Sequence, residues 1–298
     1  MIDLNSDNYR SRTYSQSGEE GIVRAFIDTV YADNKKNQLL VCEFGAHDGS
    51  NSNLIQMLED GHSKGIFIEC DSTRFDAFKK NFSGRSNISV IRAKVGWGKS
   101  DDLSAIFKSN GFEIGSLNIL SIDIDGDDLH VFASLNADLD LLLIEYNPTF
   151  GFDTVFRNPK GRNIGSSPLA LSLIAHEKGM FLAALTETNL IFVNNRFEDK
   201  VVRHDLNVVG PSAGAVRYAM GYDGTLVVAD VSGTDLTDEV LGLGWSSNFF
   251  VQPLPKFLRE FNRFRTCGLI YSVFALLVTR PLAVRPLLKK VYKVRKAK

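Results

Sequence analysis

Apolar positions along the chain switch between two spacings. In SGEEGIVRAFIDTVYAD (17–33), Ile22, Val23, Phe26, Ile27 and Val30 recur at helical intervals, which predicts an amphipathic helix. Ser17 and Glu20 ahead of it have the spacing of a capping box. Five short apolar runs follow, at 39–44, 65–69, 88–95, 119–124 and 141–145. Each has a strand's length and is apolar on both faces, as buried parallel strands are. Helical patterns separate them at 51–61, 72–82, 101–111 and 127–135. Beyond a further helix at 168–178, MFLAALTETNLIFVNN (180–195) reads as two strands around a tight polar turn, an antiparallel hairpin closing one sheet edge. The succession predicts an α/β fold: a doubly wound, mostly parallel seven-stranded sheet with right-handed crossovers. The expected organisation is a helical segment over 1–38, a core over 39–195, an extension over 196–254 and a basic helical tail over 255–298.

With 298 residues and 44% hydrophobic content, the chain can bury one large core and carry appendages. Cys42, Cys70 and Cys267 are far apart and form no CxxC pair, which argues against a disulfide framework and a structural zinc site. The N-terminus lacks a basic start followed by an apolar core, so a cytoplasmic location is expected. From Pro255 onward there are 12 Lys or Arg and one acid, Glu260, a charge of +11; the remainder carries 22 bases against 34 acids, or −12. An acidic body argues against nucleic acid as the main substrate, because phosphate contacts need a basic groove.

In a doubly wound sheet, ligands bind beyond the carboxyl ends of the strands. The first such end reads EFGAHDG, with Glu43 at the terminus, Gly45 in the turn and Gly49 four residues on. Absent side chains let a ligand approach main-chain N–H groups there. The spacing is ExGxxxG and not GxGxxG, which points away from a dinucleotide pyrophosphate. The second strand, GIFIECD, ends in Glu69, about twenty residues past the glycines, where a carboxylate accepts from two vicinal ribose hydroxyls. An adenosine moiety is the expected guest.

The order EFGAHDG, GIFIECD, ILSIDIDGDD and LLLIEYN resembles the FkbM-like branch of class I S-adenosylmethionine-dependent methyltransferases, and YSQSGEEG (14–21) is similar to a segment preceding the fold in part of that branch. The resemblance covers about residues 14–195. It implies a Rossmann-like methyltransferase fold with a reversed last strand. It also implies that Glu43, Gly45 and Gly49 line the methionine part of the cofactor and that Glu69 holds its ribose. Asn51 and Asn53 either donate to the cofactor or cap the next helix. Asp123, at the end of the fourth strand, is a candidate for both cofactor and acceptor.

Acids concentrate where the transferred methyl would lie: Asp123, Asp125, Asp127 and Asp128, then Glu145 and Asn147 after the fifth strand. Such a cluster implies a bound cation, a raised pKa on one member, or side chains pointing apart. Strand alternation puts Asp123 and Asp125 on one side, and Asp127 or Asp128 is placed to cap a helix. The candidate base is Asp125, with His130 second. Asp123, Glu145 and Asn147 either position substrate hydroxyls or, in the set Asp125, Glu145 and Asn147, ligate Mg²⁺ through oxygen. His47, His62 and His176 read as surface or packing histidines, His47 being the one inside the glycine turn.

The extension either covers the acceptor side or adds a hairpin, and its Trp245, Phe249 and Phe250 either stack on sugar faces or pack a core. In the tail, Phe257, Leu258, Phe261 and Phe264 share a helical face among basic residues, and the 14 uncharged residues at 266–279 are too few to span a bilayer. The tail either lies on an anionic membrane surface, where each basic residue contributes about 1 kcal/mol, or docks on the acidic body or a second copy. The expected activity is O-methylation of a sugar hydroxyl in a cell-surface glycan at the inner face of the cytoplasmic membrane. The alternatives are O-methylation of a small secondary metabolite and a catalytically silent nucleoside-binding scaffold of a membrane assembly.

Overall fold

The computed structural model describes residues 1–32, 39–59, 61 and 63–206, with the backbone of 216–220 and 226–230. His62, Trp245, Phe249, Phe250 and the whole basic tail lie outside the described residues. The seven strands are β1 (Leu40–Phe44), β2 (Lys64–Glu69), β3 (Ile88–Arg92), β4 (Leu117–Ile122), β5 (Leu141–Glu145), β6 (Met180–Leu185) and β7 (Asn189–Asn194). They form one sheet in the order β3-β2-β1-β4-β5-β7-β6. The first five run parallel, and β7 is antiparallel to both of its neighbours. This is the doubly wound seven-stranded sheet with an antiparallel edge hairpin. A separate antiparallel pair in the extension, β8 (Val216–Met220) and β9 (Leu226–Asp230), forms a two-stranded sheet of its own.

Period-two alternation loads both faces of the sheet. Cys42, Phe44, Ile66, Ile68, Leu142 and Ile144 pack against α3 (Leu103–Ser109), α4 (Asp128–Ser134) and α5 (Pro168–Glu177). Val41, Phe67, Ile119, Leu141, Leu143 and Ile191 pack instead with α1 (Glu19–Val30) and with Phe78 of α2 (Ser72–Asn81). Burial on both sides explains why the strands are apolar throughout. Among the described residues no helix is long and apolar enough to cross a membrane.

Two local expectations are corrected. No helix forms over 51–61; only a single 3₁₀ turn, Ile55–Leu58, appears. The main-chain N–H groups of Asn53 and Leu54 are spent on the Glu43 carboxylate, and Ser52 Oγ accepts from Ile55 N. Leu54, Ile55, Met57 and Leu58 are all buried. The capping box at Ser17 and Glu20 is also absent. The N-cap of α1 is Gly18, in the left-handed region, with no side-chain cap. Glu20 turns back to accept from the N–H groups of Thr13, Tyr14 and Ser15, while Glu19 accepts from Ser17 N at 2.9 Å. Both acids are fully buried, so they clamp the preceding segment onto the fold.

Replacing Glu20 with alanine leaves three main-chain donors without their acceptor. Urea denaturation of Glu20→Ala is expected to show a loss of about 2–4 kcal/mol, and Glu20→Gln a smaller one.

Candidate functional site

The polar residues of the site arise from the alternation that builds the core. On the α1 face, Val41, Ile119, Leu143 and Ile191 are apolar; near the strand ends the same face carries Glu43, Ser121, Asp123, Glu145 and Asn189. The register aligns them, with Glu43 opposite Ser121 and Glu145 opposite Asn189. Asp123 follows Ile122, the partner of Ile144, and so falls beside Glu145. These ends open onto a cavity of about 400 Å³, which runs from Glu69 and Cys70 after β2, past Gly45, to Glu145 and the Thr188–Asn189 turn. That volume suits one small organic ligand.

Gly45 has a positive φ of 79°, and a Cβ there would lie 1.4 Å from the carbonyl oxygen of Asp123. Only glycine lets the ends of β1 and β4 approach so closely. Glu43 is buried; its carboxylate accepts from Ser52 Oγ, Asn53 N (3.0 Å) and Leu54 N (3.3 Å). Burial lifts its pKa to about 7 against the pull of these donors. Asn53 also donates to Ser121 Oγ at 3.1 Å, and Asn51 stands exposed on the rim. Glu69 is buried, with Oε2 accepting from His47 N at 3.0 Å and Oε1 from Asp71 N at 2.8 Å. Two main-chain donors thus fix the carboxylate at the end of β2, and the remaining lone pairs serve the cavity it lines.

After β4, carboxylate oxygens of Asp123, Asp125 and Glu145 lie within 4.8 Å of one another. The expected alternation does not extend to Asp125, because the strand ends at Ile122 and Asp125 adopts a left-handed φ of 57° with its side chain exposed. Burial, then the charges of Asp128 and Asp125, push the Asp123 pKa up to about 7. Burial and the charge of Asp123 push Glu145 well above its ordinary value, and these two carboxyls share a hydrogen bond. Neither Asp127 nor Asp128 caps α4 in the expected way. Asp127 occupies the N-cap position, but its side chain accepts from Gly161 N and Asn158 Nδ2. Asp128 accepts from Ile124 N and Gly126 N, each at 2.8 Å, and burial lifts its pKa to about 6.

Three sequence candidates stand away from the cavity lining. Gly49 lies under the aromatic rings of α2 and its cap, where a Cβ would meet Phe82 Cε2 at 2.3 Å. His130, on α4, bonds through Nε2 to the Asn158 carbonyl; a carbonyl only accepts, so that nitrogen carries the proton. Asn147 is buried, donating from Nδ2 to the Ile164 carbonyl and accepting at Oδ1 from Thr149 N and Oγ1. The three clustered carboxylates are the donor type that suits a hard divalent cation, whereas the Asn147 oxygen is engaged with Thr149. His47 lines the cavity and His176 is exposed on α5.

Sequence patterns missed Gln16, Thr188 and Asn189, which line the cavity, and Glu19, which accepts from Thr186 Oγ1 and Asn189 Nδ2. They also missed Asn158, fully buried, whose amide ties Asp127, the Arg162 carbonyl and Ile164 N together.

No family model matches the chain and no curated protein matches it, so the FkbM-like resemblance rests on the motifs alone. Solved structures are similar at low identity. A CurJ carbon methyltransferase matches at 12% identity with TM-score 0.40, over 60% of this chain and 56% of that one, a little over half its length. The N-terminal domain of EvdMO1, with SAH bound, matches at 9% identity and TM-score 0.40, over 60% and 82% of the two chains. A SAM-dependent methyltransferase from Aquifex aeolicus matches at 12% identity and TM-score 0.35, over 59% and 88%. At this level of likeness neither cofactor nor substrate transfers from those proteins to this chain.

Because Asp123, Glu43 and Asp128 have raised pKa values in the fold, the native chain keeps protons that the unfolded chain releases above about pH 4. Their contribution to stability is therefore greatest below the unfolded pKa and is lost as pH rises to about 7. Urea denaturation is expected to show Asp123→Asn more stable than the natural chain at pH 7.5 by about 1–2 kcal/mol, the gain vanishing near pH 4.

Proposed function

We propose that this chain is an S-adenosylmethionine-dependent methyltransferase. The observation that carries the proposal is the cavity at the switch point between β1 and β4: bare main chain at Gly45 on one side, the fixed Glu69 carboxylate on the other, in a sheet with a single reversed strand. Glu69 is set to accept from the ribose hydroxyls. Ile68, Ala93 and Val95 supply apolar wall near it for a base, and Asp123 and Glu43 favour the positive sulfonium and ammonium groups of the methionine part.

The transfer we propose is to a hydroxyl. Its oxygen attacks the methyl carbon, the carbon–sulfur bond breaks with its electron pair going to sulfur, and the hydroxyl proton passes to the Asp123–Asp125 pair. A group whose pKa is about 7, as for Asp123, matches proton transfer near neutral pH. Holding the two reactants in line contributes several further kcal/mol. The acceptor of choice is a sugar of a membrane-assembled glycan, a choice supported by the FkbM-like motifs and the basic tail.

Calorimetry is expected to show S-adenosylhomocysteine binding and no binding of NAD. Glu69→Gln, which replaces one acceptor with a donor, is expected to weaken that binding about 10- to 100-fold. Failure of the natural chain to bind S-adenosylhomocysteine or S-adenosylmethionine overturns the proposal.

A further inference from the structure

Two acceptor oxygens at one end of this cavity are buried without a donor, Glu145 Oε2 and Asn189 Oδ1. They belong to residues that pair directly across β5 and β7, so their side chains leave the same face as neighbours. Asn189 is only 5% exposed, and its amide cannot turn over. Its Nδ2 donates to Glu19 Oε1 at 3.1 Å, and a carboxylate only accepts, so oxygen is the atom left without a partner. An orphaned buried acceptor costs about 1–3 kcal/mol. Two side by side in a ligand-sized cavity mark a place where the ligand brings the donors.

The surroundings decide the charge of that ligand. Asp123 and Asp125 stand within 4.8 Å of Glu145, while the cationic side chains that line the cavity, Arg74 and Lys94, follow β2 and β3 at the opposite end. A neutral polyol would satisfy the two oxygens and leave the carboxylates repelling one another. A sulfonium brings charge but no N–H. An ammonium supplies both. Gln16 completes the wall: Glu19 and Glu20 clamp the main chain on either side of it.

We propose that the β5–β7 end of the cavity is an acceptor subsite for a primary ammonium, held by Glu145 Oε2 and Asn189 Oδ1. The methyl acceptor is then an amine-bearing polar molecule of the amino-sugar type. Only the word acceptor rests on the methyltransferase reading.

The test uses the full chain saturated with S-adenosylhomocysteine, at constant ionic strength, followed by the NMR signals of the Asn189 side-chain amide. Methylammonium is titrated against tetramethylammonium, which has the charge without donors, and ethylene glycol, which has donors without charge. Methylammonium alone is expected to shift the Asn189 signals saturably, and Glu145→Gln to weaken it at least tenfold with S-adenosylhomocysteine affinity unchanged. Asn189→Ser, read by thermal shift, should weaken methylammonium likewise. Equal responses to all three probes, no response, or a response to MgCl₂ in place of methylammonium overturns the subsite. Loss of S-adenosylhomocysteine binding in Glu145→Gln assigns the position to the cofactor's own ammonium and equally overturns it. If the natural chain does not bind S-adenosylhomocysteine, the methyltransferase reading falls, and the same titration on the ligand-free chain still decides the subsite.

Discussion

Everything at the site follows from one constraint: strands that alternate in and out must all change from apolar to polar on the same face at the same level of the sheet. Because Glu43, Ser121, Glu145 and Asn189 meet in register, with Asp123 one step past the end of β4, five polar side chains gather where the strands stop. An apolar residue at any of them would extend the core into the space a ligand needs. Gly45 is the complement of this arrangement, since the carbonyl of Asp123 occupies the place where its side chain would be.

Gathering acids in a partly buried cavity is electrostatically costly, and the chain offsets that cost unevenly. Glu43, Glu69 and Asp128 each receive at least two main-chain N–H groups. They therefore serve the architecture, fixing the 52–54 loop, the turn after β1 and the turn before α4. Asp123 and Glu145 have mainly each other, and Glu145 and Asn189 keep oxygens with no donor. The satisfied acids form a rigid frame, in which Glu69 keeps lone pairs for the cavity it lines, and Glu145 and Asn189 at the β5–β7 end keep acceptor oxygens for a ligand.

The segment before α1 belongs to the site as much as the sheet does. Glu19 and Glu20 open that helix without capping it. They reach back to the main chain of 13–17 and across to β7, so Gln16 is held at the cavity wall by a polar clamp. The same two carboxylates join an N-terminal strap, the first helix and the last strand pair into one structural unit.

Local periodicity determined the order and nature of the elements. Runs of five or six mostly apolar residues such as LLLIE, bounded by polar residues and turn signals, have a strand's length and not a helix's, and alternating them with helices dictates a doubly wound sheet. The acids and glycines at the strand ends were legible for the same reason: polarity at the end of a buried strand shows where burial stops. Tertiary structure decided what each of those residues touches. Asp125 still meets Asp123, but from a left-handed backbone position past the end of β4 and not through strand alternation; His130 and Asn147 turned to the 147–166 loop because carbonyls and hydroxyls there lay within reach. Segment 51–61 formed only one 3₁₀ turn, with its Asn53 and Leu54 N–H groups bonded to a buried carboxylate from another strand. Hydrogen bonds between residues far apart along the chain have no periodic signature, and so the distant partners of Glu19, Glu43, Asn158 and Asn189 could emerge only once the chain had folded.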